Sequence, residues 1–487
     1  MSRVFNPETV IEVPEIVRDS HRAGRHLKVV STDRNWGYRF PVPLAEDTDL
    51  LSLARLARIR TLERLSATHP VALIEPGVTQ GQMADALADR QLPLFVNVTG
   101  SARETSIIGN ALDGGIGYFG SRRDDLFGFE VVLPDGEMLH TGMRSMNDEG
   151  PLALLQKYGP GPSLDGLFYQ SRAGIVVSAC THLKVRPPVQ VALSINLRPG
   201  RSFVRFVDGL AQLRRSDLLT GVIHVGNQAR THSTLLPGLR RHLHALGVHA
   251  EHLATEAQTT LGMLKTEDWS ALVGVGGTQR QVDAVVHEVK RVVGAEARVR
   301  VVSSERLRVA KALTGWLTRI PGARRAHALL RTLEPLHGLA VGTPTDEAVR
   351  SLLDGAGEME TAACDLDQSR VGLIYLSPIL PLDGMAIERT LAMMRATADR
   401  HGFLLYVTVN IESRLTAIAV TNILFDRADA QAQARAERCI DDIYRELAAA
   451  ELEVYRAHVL TARWMPQVPA AALRLPLWGI DRRPDEH

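Results

Sequence analysis

The pair Pro187-Pro188, in the run Val185-Arg186-Pro187-Pro188, constrains this chain most. Neither proline offers a backbone donor, and two in succession continue neither a helix nor a sheet. The strand and helix patterns on either side must therefore belong to separate packing units. A chain of 487 residues is also too long for one ordinary core. Two domains meeting near residue 188 are expected.

Before the prolines, strand and helix signals alternate. Residues 27–30 read as a short strand running into the loop 33–37. Residues 71–74 read as another, stopped by Pro76-Gly77. Thr79-Gln80-Gly81-Gln82 has the form of a capping box opening a helix: the Thr79 hydroxyl takes an orphan amide and Gln82 reaches back. Residues 129–133 and 137–140, joined by Pro134-Asp135-Gly136, read as a hairpin. The β-branched run Ile175, Val176 and Val177 reads as a strand. Thr9 to Glu12 resembles a helix start, but Pro14 places the true start later.

After the prolines come strand patterns at 191–197, 272–275 and 371–376, and a helix at 282–293. Residues 404–411 and 415–425 look like neighbouring strands across Glu412-Ser413-Arg414. A long helix at 428–449 carries Ile440, Ile443, Tyr444 and Leu447 at helical spacing. Strands mixed with crossing helices predict an α+β unit on an antiparallel sheet.

Composition removes several functions. With 56 Lys and Arg against 55 Asp and Glu, no global field recruits nucleic acid or an anionic membrane. The arginine-rich stretch 319–331 reads as a solvated helix face. Cys180, Cys364 and Cys439 are widely spaced, giving neither a metal-ligand pattern nor a disulfide framework, and they fit a reducing compartment. The N-terminus lacks an apolar run after its charge, and no apolar stretch is long enough to span a bilayer. A cytoplasmic protein with no nucleic-acid or membrane partner is expected.

Gly115-Ile116-Gly117-Tyr118-Phe119-Gly120 matches G-x-G-x-x-G but lacks the preceding buried strand and following helix that a dinucleotide fingerprint needs. Walker A, H-E-x-x-H and G-x-S-x-G patterns are absent. Two small-residue loops can instead bring backbone amides up to a pyrophosphate: 32–37 and 104–110.

These loops belong to an ordered set: Ser31-Thr32-Asp33-Arg34-Asn35-Trp36-Gly37-Tyr38, Glu75-Pro76-Gly77-Val78-Thr79, Ser106-Ile107-Ile108-Gly109-Asn110, the run from Asp165 to Val177, and Tyr455-Arg456-Ala457-His458. In that order they resemble the FAD-dependent vanillyl-alcohol oxidase and 4-cresol dehydrogenase family, over nearly the whole chain. Gly342-Thr343-Pro344-Thr345-Asp346-Glu347 and Gly372-Leu373-Ile374-Tyr375-Leu376-Ser377-Pro378 look like segments of that family's cap.

The resemblance implies a two-domain PCMH-type FAD-binding fold. Residues 1–188 would form the FAD domain and 189–452 the α+β cap on its antiparallel sheet. Residues 453–487 would close the active site and return toward the FAD domain. It implies an FAD site at Ser31, Thr32, Asp33, Arg34, Asn35, Trp36, Gly37, Pro76, Thr105, Ser106, Ile108, Gly109, Asn110, Gly174, Ile175 and Val176. It also implies oxidation of a para-substituted phenol, held as a phenolate while hydride leaves its benzylic carbon for flavin N5. Tyr38, Tyr455 and Arg456 stand where the family binds the phenolate, and Tyr118 matches a flavin-side tyrosine. His458 reads as a core histidine ahead of a catalytic one. The expected partners are a small aromatic substrate and either molecular oxygen or a cytochrome as acceptor, with a homodimer as the expected assembly. No metal is expected.

Three departures qualify this. Ser101 stands where vanillyl-alcohol oxidase has a flavin-side acid, and Glu104 is the nearest carboxylate. Leu373 stands where a histidine would carry covalent flavin, and the register does not assign Tyr375 that role, so non-covalent FAD is expected. The chain ends soon after Trp478-Gly479-Ile480, so part of the family's cofactor cover is expected to be missing or replaced. These departures keep two alternatives open: flavin-dependent dehydrogenation or oxidative cyclisation of a natural-product intermediate, and a non-catalytic homologue.

Overall fold

The computed structural model describes residues 2–34, 36, 38, 47–148, 150–265, 268–356 and 365–456. Proline sets the first helix. Thr9 opens a 3-10 turn, Val10–Glu12, and the Thr9 amide donates to the Glu12 carboxylate at 2.8 Å. The α-helix proper is Val13–Arg22, with Pro14 in the first turn, where its missing amide costs nothing. Beside it three parallel strands align, with Thr48–Ser52 between Val4–Phe5 and His26–Val30.

A four-stranded antiparallel sheet follows, in the order Val71–Ile74, Ile175–His182, Leu126–Val132, Met138–His140. Val71–Ile74 is buried at every residue, as a strand covered on both faces must be. The expected hairpin is present, and its turn needs Gly136, whose φ is +82°. Helices Gln80–Asp89 and Ile107–Leu112 pack on this sheet through Met83, Leu87, Ile107 and Ile108. The cap on the first of these is only half as expected. The Thr79 hydroxyl accepts from the Gln82 amide at 3.0 Å, but the Gln82 side chain donates to the Ala57 carbonyl at 2.9 Å. A carbonyl from a neighbouring loop outcompetes the local partner. The G-x-G-x-x-G run forms a small hairpin, Ile116–Gly117 paired with Gly120–Ser121, so its rejection holds.

Beyond the prolines lies one large antiparallel sheet. Its order is Ala297–Ser303, Val189–Leu197, Trp269–Gly277, Ile223–Asn227, Tyr406–Ile411, Thr416–Asp426, Val371–Leu376, and Ile379–Pro381 also pairs with Thr416–Asp426. Period-two alternation gives the sheet two unlike faces. Leu193, Ile195, Val225, Val407 and Val409 enter an apolar core with helices Phe203–Arg215, Gln279–Val293, Gly384–Arg400 and Ala430–Ala449. Each such fully buried side chain contributes roughly 1.5–3 kcal/mol. The expected residues Ile440, Ile443, Tyr444 and Leu447 are part of that core. Ser194, Asn196, His224, Gly226, Thr408 and Asn410 lie on the other face and line a cavity. Helices Gln228–Ala245, Pro321–Ala340 and Glu347–Gly355 cover that side. Within Pro321–Ala340 the arginine stretch is only partly solvated, since Arg325 is paired with Glu256 at 2.7 Å.

Candidate active site

Two cavities meet in this molecule. The first, about 930 Å³, lies between the parallel strands, the four-stranded sheet and the loops that join them. Ser31, Thr32, Asp33 and Arg34 form one wall, and Pro76, Thr105, Ser106, Ile108, Gly109 and Asn110 a second. Gly174, Ile175 and Val176 form a third. Of the expected cofactor residues, Asn35 and Gly37 lie outside the described residues. Trp36 lines the other cavity.

The local backbone explains why these loops can approach a ligand. Ser106 caps the helix Ile107–Leu112, accepting from the Gly109 amide at 2.9 Å while its hydroxyl donates to the Pro76 carbonyl at 2.6 Å. Gly109 then sits against Ser31: a Cβ there would lie 2.2 Å from the Ser31 Oγ. Asp33 turns the other loop with φ +58°.

The cavity suits FAD. Its volume falls in the upper part of the range of about 300–1,000 Å³ found for cofactor and ligand sites. Arg25, Lys28, Arg34, Arg172 and Arg456 line it against the carboxylates of Asp33 and Asp113. Lys28 and Arg172 make no ion pair among the described residues. A cationic excess on a small-residue cradle is what a diphosphate requires.

The second cavity, about 500 Å³, lies on the polar face of the large sheet. Arg34, Asn110 and Arg456 line both cavities, so the two join there. Arg34 lies at this junction, and Trp36 and Tyr38 line the second cavity. Arg34 bridges Glu104 and Asp365, both at 2.9 Å, and the Trp36 indole donates to Asp365 at 3.3 Å. Tyr38 follows, 9% exposed.

Tyr38, Tyr455 and Arg456 are brought together. The two hydroxyls are 3.1 Å apart, and Tyr38 also meets the Ser377 hydroxyl at 3.3 Å. The Arg456 guanidinium lies over the Tyr38 ring, 3.9 Å from its centroid, and pairs with Asp113. Tyr375 also stacks on Tyr38, with the ring centroids 5.1 Å apart. The final described segment is held by backbone bonds: Ile379 donates to Glu453 at 2.8 Å and Tyr455 to Ser377 at 3.1 Å. His458 lies outside the described residues.

Burial pushes the Tyr38 hydroxyl well above the usual tyrosine value; Tyr455 adds to this and Arg456 opposes it. Burial also raises Tyr455, against the Arg456 charge. Both therefore stay protonated and able to donate near neutral pH. For Arg456, burial opposes the charge, but Asp113 and the two tyrosines outweigh it and hold the guanidinium ionised. The result is a pair of neutral donors beside a fixed cation in a desolvated place, an arrangement that stabilises an oxyanion.

Tyr118 lines the second cavity rather than the first, with its ring 4.0 Å from that of His224. The Ser101 hydroxyl is engaged by Thr99 and Thr105. Glu104 lines neither of the two cavities and is held by Arg34. Sequence reasoning missed His224, Arg230, Asn410 and Asp113. The His224 Nδ1 lies 2.8 Å from the Asn410 Oδ1, and burial lowers the imidazole to about 4, against that hydrogen bond. The available signal was alternation in Ile223–Asn227, which sends His224 and Gly226 away from the core that takes Ile223 and Val225.

Among the described residues no group of His, Cys, Asp and Glu could hold a metal ion, and no helix is long and apolar enough to cross a membrane. Cys180 and Cys439 are buried free thiols, and Cys364 lies outside the described residues.

A family model for an FAD binding domain matches residues 1–142. The 1'-carboxy-chondrochloren decarboxylase of Chondromyces crocatus is 28% identical over 472 residues, covering 95% of this chain and 84% of the relative. The 4-cresol dehydrogenase [hydroxylating] flavoprotein subunit of Pseudomonas putida is 24% identical over 466 residues, covering 94% and 80%. The solved 4-ethylphenol oxidase from Gulosibacter chungangensis, in its isoeugenol complex, shares the fold. Its TM-score is 0.77 at 22% identity, covering 94% of this chain and 81% of that one. The FAD binding domain match, these relatives along almost the whole chain and the shared fold make the chain similar to the FAD-dependent oxidoreductases of the vanillyl-alcohol oxidase and 4-cresol dehydrogenase family.

Proposed function

We propose that this chain oxidises a phenolic or related aromatic substrate, bound as its phenolate by Tyr38, Tyr455 and Arg456. The observation that carries this is the pair of Tyr38 and Tyr455 hydroxyls beside Arg456, which lines both cavities. On this reading residues 1–188 hold FAD, 189–452 form the cap, and the segment from 453 closes the site. The Ser31–Arg34 and Thr105–Asn110 loops hold the diphosphate, and Gly174–Val176 lie along the cofactor. FAD is not tethered: Leu373 is an inert side chain, and Tyr375 faces the substrate cavity, stacked on Tyr38.

Bound FAD would supply a two-electron acceptor for hydride. The residues of the chain do the rest. Tyr38 and Tyr455 donate hydrogen bonds to the substrate oxygen, and Arg456 supplies the charge that lets it ionise. The negative charge pushes electron density toward the para carbon, so the benzylic hydrogen departs with its electron pair. Tyr118 and Tyr375 flank the ring. The test is a titration of the purified protein with 4-alkylphenols, followed through the flavin absorption. A saturable spectral shift supports the phenolate site; no shift with any phenol rejects it.

One relative favours a second reading of the outcome. The curated decarboxylase acts, by its name, on a carboxylated compound. Among the described residues no Asp or Glu lines the substrate cavity, so no carboxylate there activates water for addition. A substrate with a carboxylate on the carbon next to the benzylic one has another route. Its C–COO⁻ bond breaks, carbon dioxide leaves, and that electron pair completes a double bond to the carbon that lost hydride. Mass analysis separates the two: a gain of oxygen indicates water addition, and a loss of carbon dioxide with two hydrogens indicates decarboxylation.

A further inference from the structure

The substrate cavity has an unbalanced charge. Arg34, Arg230, Arg300 and Arg456 line it, and among the described residues no carboxylate does. Three of these arginines have protein partners. Arg34 is paired with Glu104 and Asp365, Arg456 with Asp113, and Arg300 donates to the Leu264 carbonyl at 2.9 Å. The Arg230 guanidinium has no hydrogen-bond or ion-pair partner among the described residues.

Its position makes that costly. Arg230 is in the first turn of Gln228–Ala245, where its amide donates to Asn227 at 2.9 Å. A cation in the first turn opposes the helix dipole, which favours negative charge there. Its stem passes over the cavity face of the sheet: a Cβ on Gly226 would lie 3.8 Å from the Arg230 Cγ. Its charge reaches the tyrosines of the site. Burial raises Tyr118 to about 12, and Arg230 pulls the other way; Tyr375, also raised by burial, feels the same pull. Leu235, Leu264, Leu333 and Leu352 supply apolar wall in the same cavity.

We propose that Arg230 anchors a carboxylate on the substrate, so that the preferred ligand is a phenol joined through an apolar stretch to an anionic group. The planar guanidinium fork matches a carboxylate in two parallel hydrogen bonds, and the ligand supplies the negative charge that the wall lacks. The cavity of about 500 Å³ fits a ligand of that extent. This inference rests on the phenolate site proposed above.

The test uses the FAD-loaded protein and ω-(4-hydroxyphenyl)alkanoates of increasing chain length, each compared with its primary amide and with 4-propylphenol. Affinity is read from the flavin difference spectrum. At one or more lengths the carboxylate should bind about 10- to 100-fold more tightly than the amide. In Arg230→Met that ratio should fall close to one, and in Arg230→Lys part of it should return. A second variant, Arg230→Gln, serves if the Met protein does not fold. No carboxylate preference at any length, or a preference that survives in Arg230→Met, overturns the anchor while leaving the phenolate site standing. Failure of every phenol, neutral ones included, to perturb the flavin rejects the phenolate site and the anchor together.

Discussion

The two cavities are built in opposite ways. The first cavity lies between strands and the loops that join them, and its shape depends on where those loops can go: Ser106 caps a short helix, and Gly109 lets Ser31 come against it. The second cavity lies on one face of the large sheet, and its chemistry depends on which side chains register brings together. His224 meets Asn410 because Ile223–Asn227 pairs with Tyr406–Ile411. The lesson is that small residues in order announce a backbone site, while a side-chain site is assembled across the sheet from residues far apart in sequence.

The comparison is tested most severely at Gly109. Valine there would drive a branched side chain into Ser31, at a cost on the order of 1–3 kcal/mol or more. If the cofactor cavity depends on backbone approach, the purified Gly109→Val protein should be colourless while its cap stays folded. Flavin retained at native stoichiometry would remove that dependence.

A side-chain change at the junction should do the reverse. Arg456→Met is expected to weaken binding of 4-alkylphenols about 100- to 1,000-fold and to leave FAD bound. Flavin content and phenol titration on one sample decide this. Tyr38→Phe deletes a single donor and keeps the ring on which Arg456 and Tyr375 lie, so its effect is smaller, about 10-fold on phenol affinity. A loss as large as that of Arg456→Met would mean that the ring, not the hydroxyl, carries the site.

The smallest effect separates the two regions by pH. In the cap, burial lowers His224 and His242 to about 4, against about 6.5 unfolded. As pH falls from about 6.5 to 4 the unfolded chain takes up protons that the folded cap refuses, so the cap loses stability in that window. In the four-stranded sheet Glu130 is held at about 2. Burial alone would raise it, but the His140 imidazole 3.8 Å away, a hydrogen bond from Ser178 and the charges of Arg60 and Arg144 prevail. Its contribution persists above about 4.3 and is lost as pH falls toward 2. Hydrogen exchange corrected for intrinsic rates should show the large sheet opening at higher pH than the four-stranded one. The opposite order would contradict these environments.

How much of this was legible in the sequence follows from the same distinction. The strand at 71–74, the hairpin around Gly136 and the late helix start at Val13 are local effects of apolar runs, turn chemistry and proline, and the structure has them all. Tyr38, Tyr455 and Arg456 converge because the chain is tied back at Ser377, a long-range contact that only the resemblance anticipated. The Gln82 half of the capping box failed because Ala57 offers its carbonyl from a loop that no local pattern reveals. Arg230 gave no signal: an arginine in the first turn of a helix reads as solvated until the sheet beneath it is seen to form a cavity wall.

The central claim is that a phenolate is held by Tyr38, Tyr455 and Arg456 where the two cavities join. Its most direct measurement is the flavin difference spectrum of the purified protein on titration with 4-propylphenol, run side by side for the native chain and Arg456→Met. The account predicts a saturable shift in the native protein that is absent over the same concentrations in the variant, with equal flavin content in both. An equal shift in both proteins, or none in the native one, would contradict it.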